Sequence, residues 1–166
     1  MTEASFREGA LELVSREARY LDRRLWDEWL ELFLDDAVFW VPAWKDEENQ
    51  TADPDREVSM MYYDGRIRLA ERIWRARSGQ SLASTPLHRT MHTISTIALE
   101  RCDDVSASVS SNWSTHIFDP KDKSQHVLFG FYEHELTHSE SGWKISRKKI
   151  VVLNDYLPIT IDFYDI

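Results

Sequence analysis

The chain has 166 residues, of which 42% are hydrophobic and 12% aromatic, with only 5 Gly and 5 Pro. That length supports one ordinary core, and that composition excludes a disordered or low-complexity chain. The single cysteine, Cys102, excludes an intramolecular disulfide and a Cys-rich zinc or iron–sulfur site built by this chain alone. A formal charge of −9 makes nucleic acid and anionic membrane surfaces poor partners. No apolar run approaches the roughly 20 residues that span a bilayer. The segment 1–5 lacks the basic-then-apolar pattern of a signal peptide, so a soluble, cytoplasmic setting is expected.

The first third reads helical. Ser5 and Glu8 have capping-box spacing. Leu11, Val14, Ala18 and Leu21 then recur on one helix face, and a second face runs through Leu25, Trp26, Trp29, Leu30 and Phe33. Asp22-Arg23-Arg24 is a turn or a continuation; the pattern fits both. Asp35-Asp36 ends the helical signal, and Ala37 to Val41 is a short β-prone run stopped by Pro42. Residues 43–57 are acidic and contain Pro54, which predicts a surface loop. Met60 to Tyr63 fits a buried helical turn or a short strand. Arg66 to Arg77 has helical spacing, and Ser78-Gly79 ends it.

From Leu87 the period changes to two. Thr90, His92, Ile94 and Thr96 alternate with Met91, Thr93 and Ser95. Val105 to Phe118 is a long strand with Ala107, Val109, Ser111, Trp113, Thr115 and Ile117 on one face. Val127 to His138 is another, with Leu128, Gly130, Tyr132, His134 and Leu136 together. Glu140 to Gly142 is a tight turn before a last strand, Trp143 to Leu153. The tail from Pro158 is apolar and aromatic; it covers its own domain or enters a subunit interface. Helices followed by a strand meander predict an α+β fold, an antiparallel (mixed) sheet curled over N-terminal helices, as one domain over residues 1–166.

The familiar nucleotide, metalloprotease and hydrolase motifs are absent. His134 and His138 have i, i+4 spacing, but on a strand four residues span roughly 13 Å, too far for one metal. His88 and His92 meet the same objection. A hairpin near Lys121 sets His116 and His126 opposite each other, two ligands without a third. Cys102 precedes Asp103 and Asp104, which disfavour a thiolate. A curled sheet leaves a hollow, into which Asp36, Tyr62, His92 and His116 are the candidate acid/base residues. The competing reading is that aromatic core fills that hollow.

Four segments resemble the β (small) subunit of Rieske-type aromatic-ring-hydroxylating dioxygenases. They are Glu17 to Asp22 continuing through Trp26–Leu30 to Phe39–Trp44, then Asp53-Pro54 to Tyr63, then Ser84-Thr85-Pro86 with Arg89–Ser95, and finally Arg147–Tyr156 with Ile161–Ile166. The resemblance is nearest to subunits acting with benzoate, toluate or anthranilate. It implies a cystatin-like, NTF2-like roll. It implies a non-catalytic subunit that supports a large α subunit within an α3β3 hexamer, the β chains forming a trimer. The Rieske [2Fe–2S] cluster and mononuclear iron are then expected in the α subunit, and none in this chain. A stand-alone dehydratase or isomerase of the same fold is the alternative.

Overall fold

The structure is a computed structural model that describes residues 2–81 and 84–166. Met1, part of the N-terminal segment weighed above, lies outside them. Helix α1 runs Glu3–Asp22 and buries Ala10, Leu13, Val14, Glu17, Ala18 and Leu21, one stripe at three- and four-residue steps. Its cap is Thr2, whose hydroxyl accepts from the Ser5 amide at 3.3 Å, rather than Ser5 itself. Arg24 adopts φ +55°, which turns the chain after α1.

Helix α2 is short, Trp26–Leu30. Strand β1 follows at Phe33–Pro42. Phe33 and Asp36 are therefore strand residues. Phe33 pairs with Ile145, and the register slips before Val38, leaving Asp35 and Asp36 exposed on a bulge. Strand β2, Ser59–Asp64, resolves the ambiguity at Met60 to Tyr63. Gly65 at φ +90° lets the chain turn straight into α3, Arg66–Arg77.

Four long strands follow: β3 Arg89–Cys102, β4 Ser106–Asp119, β5 Ser124–Ser139 and β6 Gly142–Val152. The sheet order is β2-β1-β6-β5-β4-β3. All neighbours are antiparallel except β1 and β6, which are parallel. The sheet is thus mixed, as an α+β roll with segregated helices allows. Strand β3 breaks its alternation at Thr96, at φ +49°, where the register with β4 shifts.

The inner face of the sheet covers α1. On β4 it carries Ala107, Val109, Ser111, Trp113, Thr115 and Ile117, all buried. On β5 it carries Leu128, Gly130, Tyr132, His134 and Leu136, also buried. Trp29, Phe33 and Phe39 pack edge-to-face beneath β1. Each such ring contributes roughly 1.5–3 kcal/mol of burial. Gly130 admits no side chain: a Cβ there would stand 1.8 Å from the Val151 carbonyl oxygen.

Candidate functional site

Three ionisable side chains meet under the sheet. Glu17 sits on the buried stripe of α1, His134 on the inner face of β5 and Lys148 on β6, each at most 1% exposed. Lys148 Nζ donates to Glu17 Oε1 at 2.8 Å, and His134 Nε2 donates to Glu17 Oε2 at 3.0 Å. Trp29 Nε1 adds a third donor at 3.2 Å. Burial pushes the Glu17 carboxyl up, but Lys148 and His134 outweigh it and hold the group below its ordinary value. Burial pulls both His134 and Lys148 below theirs. Lys148 Nζ also lies 4.0 Å from the Tyr132 ring centre. Tyr132 in turn stacks on Trp113 with centroids 5.0 Å apart. Charge and rings thus occupy the centre of the roll.

A second pair lies at the C-terminal end of α1. Asp22 accepts from the backbone N–H of His92 at 2.9 Å, from His92 Nδ1 at 2.6 Å and from the Thr90 hydroxyl at 3.2 Å. A carboxylate only accepts, so Nδ1 carries the hydrogen of that bond, and the other ring nitrogen is Nε2. That atom is buried and, among the described residues, has no hydrogen-bond partner. Thr115, directly across from His92 on β4, has an equally unpartnered hydroxyl.

Of the four sequence candidates, only His92 faces inward. Asp36 is exposed on the β1 bulge, not at a helix end. Tyr62 pairs with Trp40, whose ring lies under Arg147 and Lys149 on the outer face; burial raises its pKa. His116 is exposed on the outer face, between Met91 and Val127. The structure therefore does not bring the four together. His126 pairs with Ile117 rather than with His116, which sends the two histidines to opposite faces. Sequence reasoning missed Glu17, Asp22 and Lys148. Glu17 had a signal: it falls between Leu13 and Leu21 on the apolar stripe.

A separate cluster holds the tail. Ile161 to Ile166 is buried in its own domain, while Tyr156 is 84% exposed. Phe163 packs on Trp26 and Trp29, and Tyr164 stacks on Trp26. Asp162 accepts from Arg72 Nε at 2.8 Å and from the Ser84 hydroxyl at 3.4 Å. Asp165 pairs with His88 Nδ1 at 3.0 Å and accepts from the Asp162 amide at 2.8 Å. The Asp165 bond raises the His88 pKa, and burial raises that of Asp165.

Among the described residues, no group of three or more His, Cys, Asp or Glu is arranged to hold a metal ion. A Rieske centre needs two Cys and two His. With Cys102 alone, this chain's residues do not fit that group. The Cys102 thiol is pushed up by burial, which disfavours the reactive thiolate. No helix among the described residues is long and apolar enough to cross a membrane.

Residues 16–159 match the family described as ring hydroxylating beta subunit. The chain is 38% identical over 150 residues to the benzoate 1,2-dioxygenase β subunit of Acinetobacter baylyi, covering 90% of this chain and 88% of that one. It is 39% identical over 153 residues to the 2-halobenzoate 1,2-dioxygenase small subunit of Burkholderia cepacia, covering 92% of each. The crystal structure of the benzoate 1,2-dioxygenase β subunit from Burkholderia mallei superposes with a TM-score of 0.77 at 34% identity, over 95% of each chain. The fold alone is shared with an NTF2-like protein of cystatin-like fold from Novosphingobium aromaticivorans, with a TM-score of 0.66 at 14% identity over 92% of this chain and 84% of that one. The mixed sheet wrapped on α1 is the same roll, and this chain belongs to the ring-hydroxylating dioxygenase β-subunit family.

Proposed function

We propose that this chain is the non-catalytic small subunit of an oxygenase that cis-dihydroxylates an aromatic carboxylate of the benzoate class. One observation carries this reading: the family match spans residues 16–159, and the relatives are subunits of benzoate and halobenzoate dioxygenases. The partner is a large α subunit that supplies the Rieske cluster and the mononuclear iron. This chain supports it as a β trimer within an α3β3 hexamer. The salt-bridged centre of the roll supports a structural role, because Glu17 is already engaged by Lys148 and His134. Co-expression with a benzoate-type α subunit tests the reading. A stable complex that consumes oxygen with benzoate is the expected result; an α subunit fully active and stable without this chain overturns it.

A second reading, a stand-alone dehydratase or isomerase, rests on the Asp22–His92 pair, an oriented base with a free nitrogen. His92→Gln in the assembled oxygenase separates the two. Unchanged benzoate turnover per complex favours the structural role.

A further inference from the structure

The inner faces of β3, β4 and β5 carry a set of polar atoms without partners. His92 Nε2, Thr115 Oγ1, Trp113 Nε1, Ser111 Oγ, Tyr132 Oη and His134 Nδ1 are buried, and among the described residues none of them has a hydrogen-bond partner. Thr115, Trp113, Ser111, Tyr132 and His134 are each at most 3% exposed, and the His92 side chain is 1% exposed. A buried polar group left unpaired forfeits its hydration. Six together would cost an amount comparable with the whole stability of a domain this size. Their partner is therefore something the chain itself does not supply.

The sheet register brings the six close to one another. Thr115 stands directly opposite His92, and Ser111 directly opposite Tyr132. Trp113 lies between Ser111 and Thr115 on the same face of β4 and stacks on Tyr132, with ring centroids 5.0 Å apart. His134 follows Tyr132 on the inner face of β5, the two rings edge-to-face with centroids 5.6 Å apart. Directly opposite side chains stand about 5 Å apart at Cβ, and alternate residues of one strand about 7 Å apart. A water making two hydrogen bonds of about 2.8 Å each bridges gaps of this size.

The chemistry of these atoms selects the ligand. Burial pulls His134 below its ordinary pKa, so its ring is neutral; Nε2–H faces Glu17, and Nδ1 accepts. Trp113 Nε1 only donates, and the Thr115, Ser111 and Tyr132 hydroxyls do both. His92 Nε2 accepts when the ring is neutral and donates when it is charged. A ligand that serves all six both donates and accepts. Glu17 and Asp22 already bring negative charge to this wall, which disfavours an anion such as an aromatic carboxylate. The Lys148 ammonium, 4.0 Å from the Tyr132 ring centre, disfavours a cation. The groove beside β3 and β5 is lined by Thr90, His116 and Val127 among others, but by none of the six. It does not lead to them, which favours a ligand small enough to enter through local opening of the fold.

We infer that this wall is a binding site for a cluster of ordered water, held by the six atoms between α1 and the inner faces of β3, β4 and β5. With about three hydrogen bonds to each buried water, about two or three molecules serve the set. The cluster engages His92 Nε2, the atom that a stand-alone enzyme would use as its base. It also gives Ser111 and Thr115 a role on a strand face that is otherwise apolar. The inference goes beyond the subunit reading and does not depend on it.

Magnetic relaxation dispersion of the water oxygen tests it, because it counts molecules held inside a protein for longer than the protein tumbles. The full chain is expected to hold at least about two such waters. Thr115→Val with Tyr132→Phe keeps the shape and the ring stack but removes two hydroxyls, and is expected to lose at least about one of them. Thr115→Val alone exchanges one hydroxyl for a methyl group and reads the same loss should the double variant not fold. A crystal structure of the full chain is expected to place a water within hydrogen-bond distance of both His92 Nε2 and Thr115 Oγ1. A chain with no long-lived water overturns the inference, as does a count that both variants leave unchanged. A dry interior in which these side chains bond one another directly overturns it too, and so does density for an organic molecule in place of water.

Discussion

Two buried charged clusters hold this fold, and they are built with opposite signs of pH response. Under the sheet, Glu17, His134 and Lys148 all have pKa values shifted down. At the tail, His88 and Asp165 both have values shifted up. A group lowered in the folded state binds fewer protons folded than unfolded, so its contribution rises with pH. A raised group contributes below its unfolded value and loses that contribution as pH rises through the folded one. The central cluster therefore weakens in acid, first through His134 as pH falls below 6.5 and then through Glu17 below 4.5. The tail clamp weakens as pH climbs past the raised value of His88, above 6.5. The cause is the partner set. Glu17 is matched by a lysine and two N–H donors, whereas Asp165 is a buried acid whose cationic partner is a histidine.

The sharpest way to break the contrast is Lys148→Met. It leaves Glu17 buried beside a neutral histidine and costs about 3–5 kcal/mol in urea unfolding. Adding Glu17→Leu to that variant returns most of the loss, since no buried charge is left. Phe163→Ala empties the space against Trp26 and Trp29; a loss of about 3 kcal/mol is expected from the same denaturant curves. Asp162→Asn keeps the shape but weakens the bond to Arg72, for roughly 1–3 kcal/mol. The smallest effect is a difference in timing. Amide exchange followed against pH should show 161–166 opening on the alkaline side while the α1 amides stay protected. Opening of both regions together would remove the distinction between the clusters.

Much of this was legible. The inward sets on β4 and β5 follow the alternation of apolar residues without a slip, and His134 fell on the correct face. Lys148 did not, for a mechanical reason. Trp143 and Ile145 are buried, so strict alternation turns Arg147 inward and Lys148 out. The structure inserts Ser146 as an unpaired extra residue, with Leu136 opposite Ile145 and Glu135 opposite Arg147. Its hydroxyl is bonded to the Glu135 carbonyl at 2.9 Å. One residue of bulge exchanges the two faces of the rest of β6. Asp36 was mistaken for a helix terminus because Phe33 completes a helical period, and pairing with Ile145 overrides that period. The tail acids find partners 90 and 77 positions away, at Arg72 and His88, which no local pattern encodes.

The backbone contact at Gly130 sets a limit on sequence variation along β5. Its neighbours Phe129 and Phe131 stand on the outer face and can be exchanged for other side chains without touching the backbone of β6. At position 130 even alanine meets the Val151 carbonyl. A saturation library read through folded yield would show broad tolerance on both sides of a single position occupied by glycine alone.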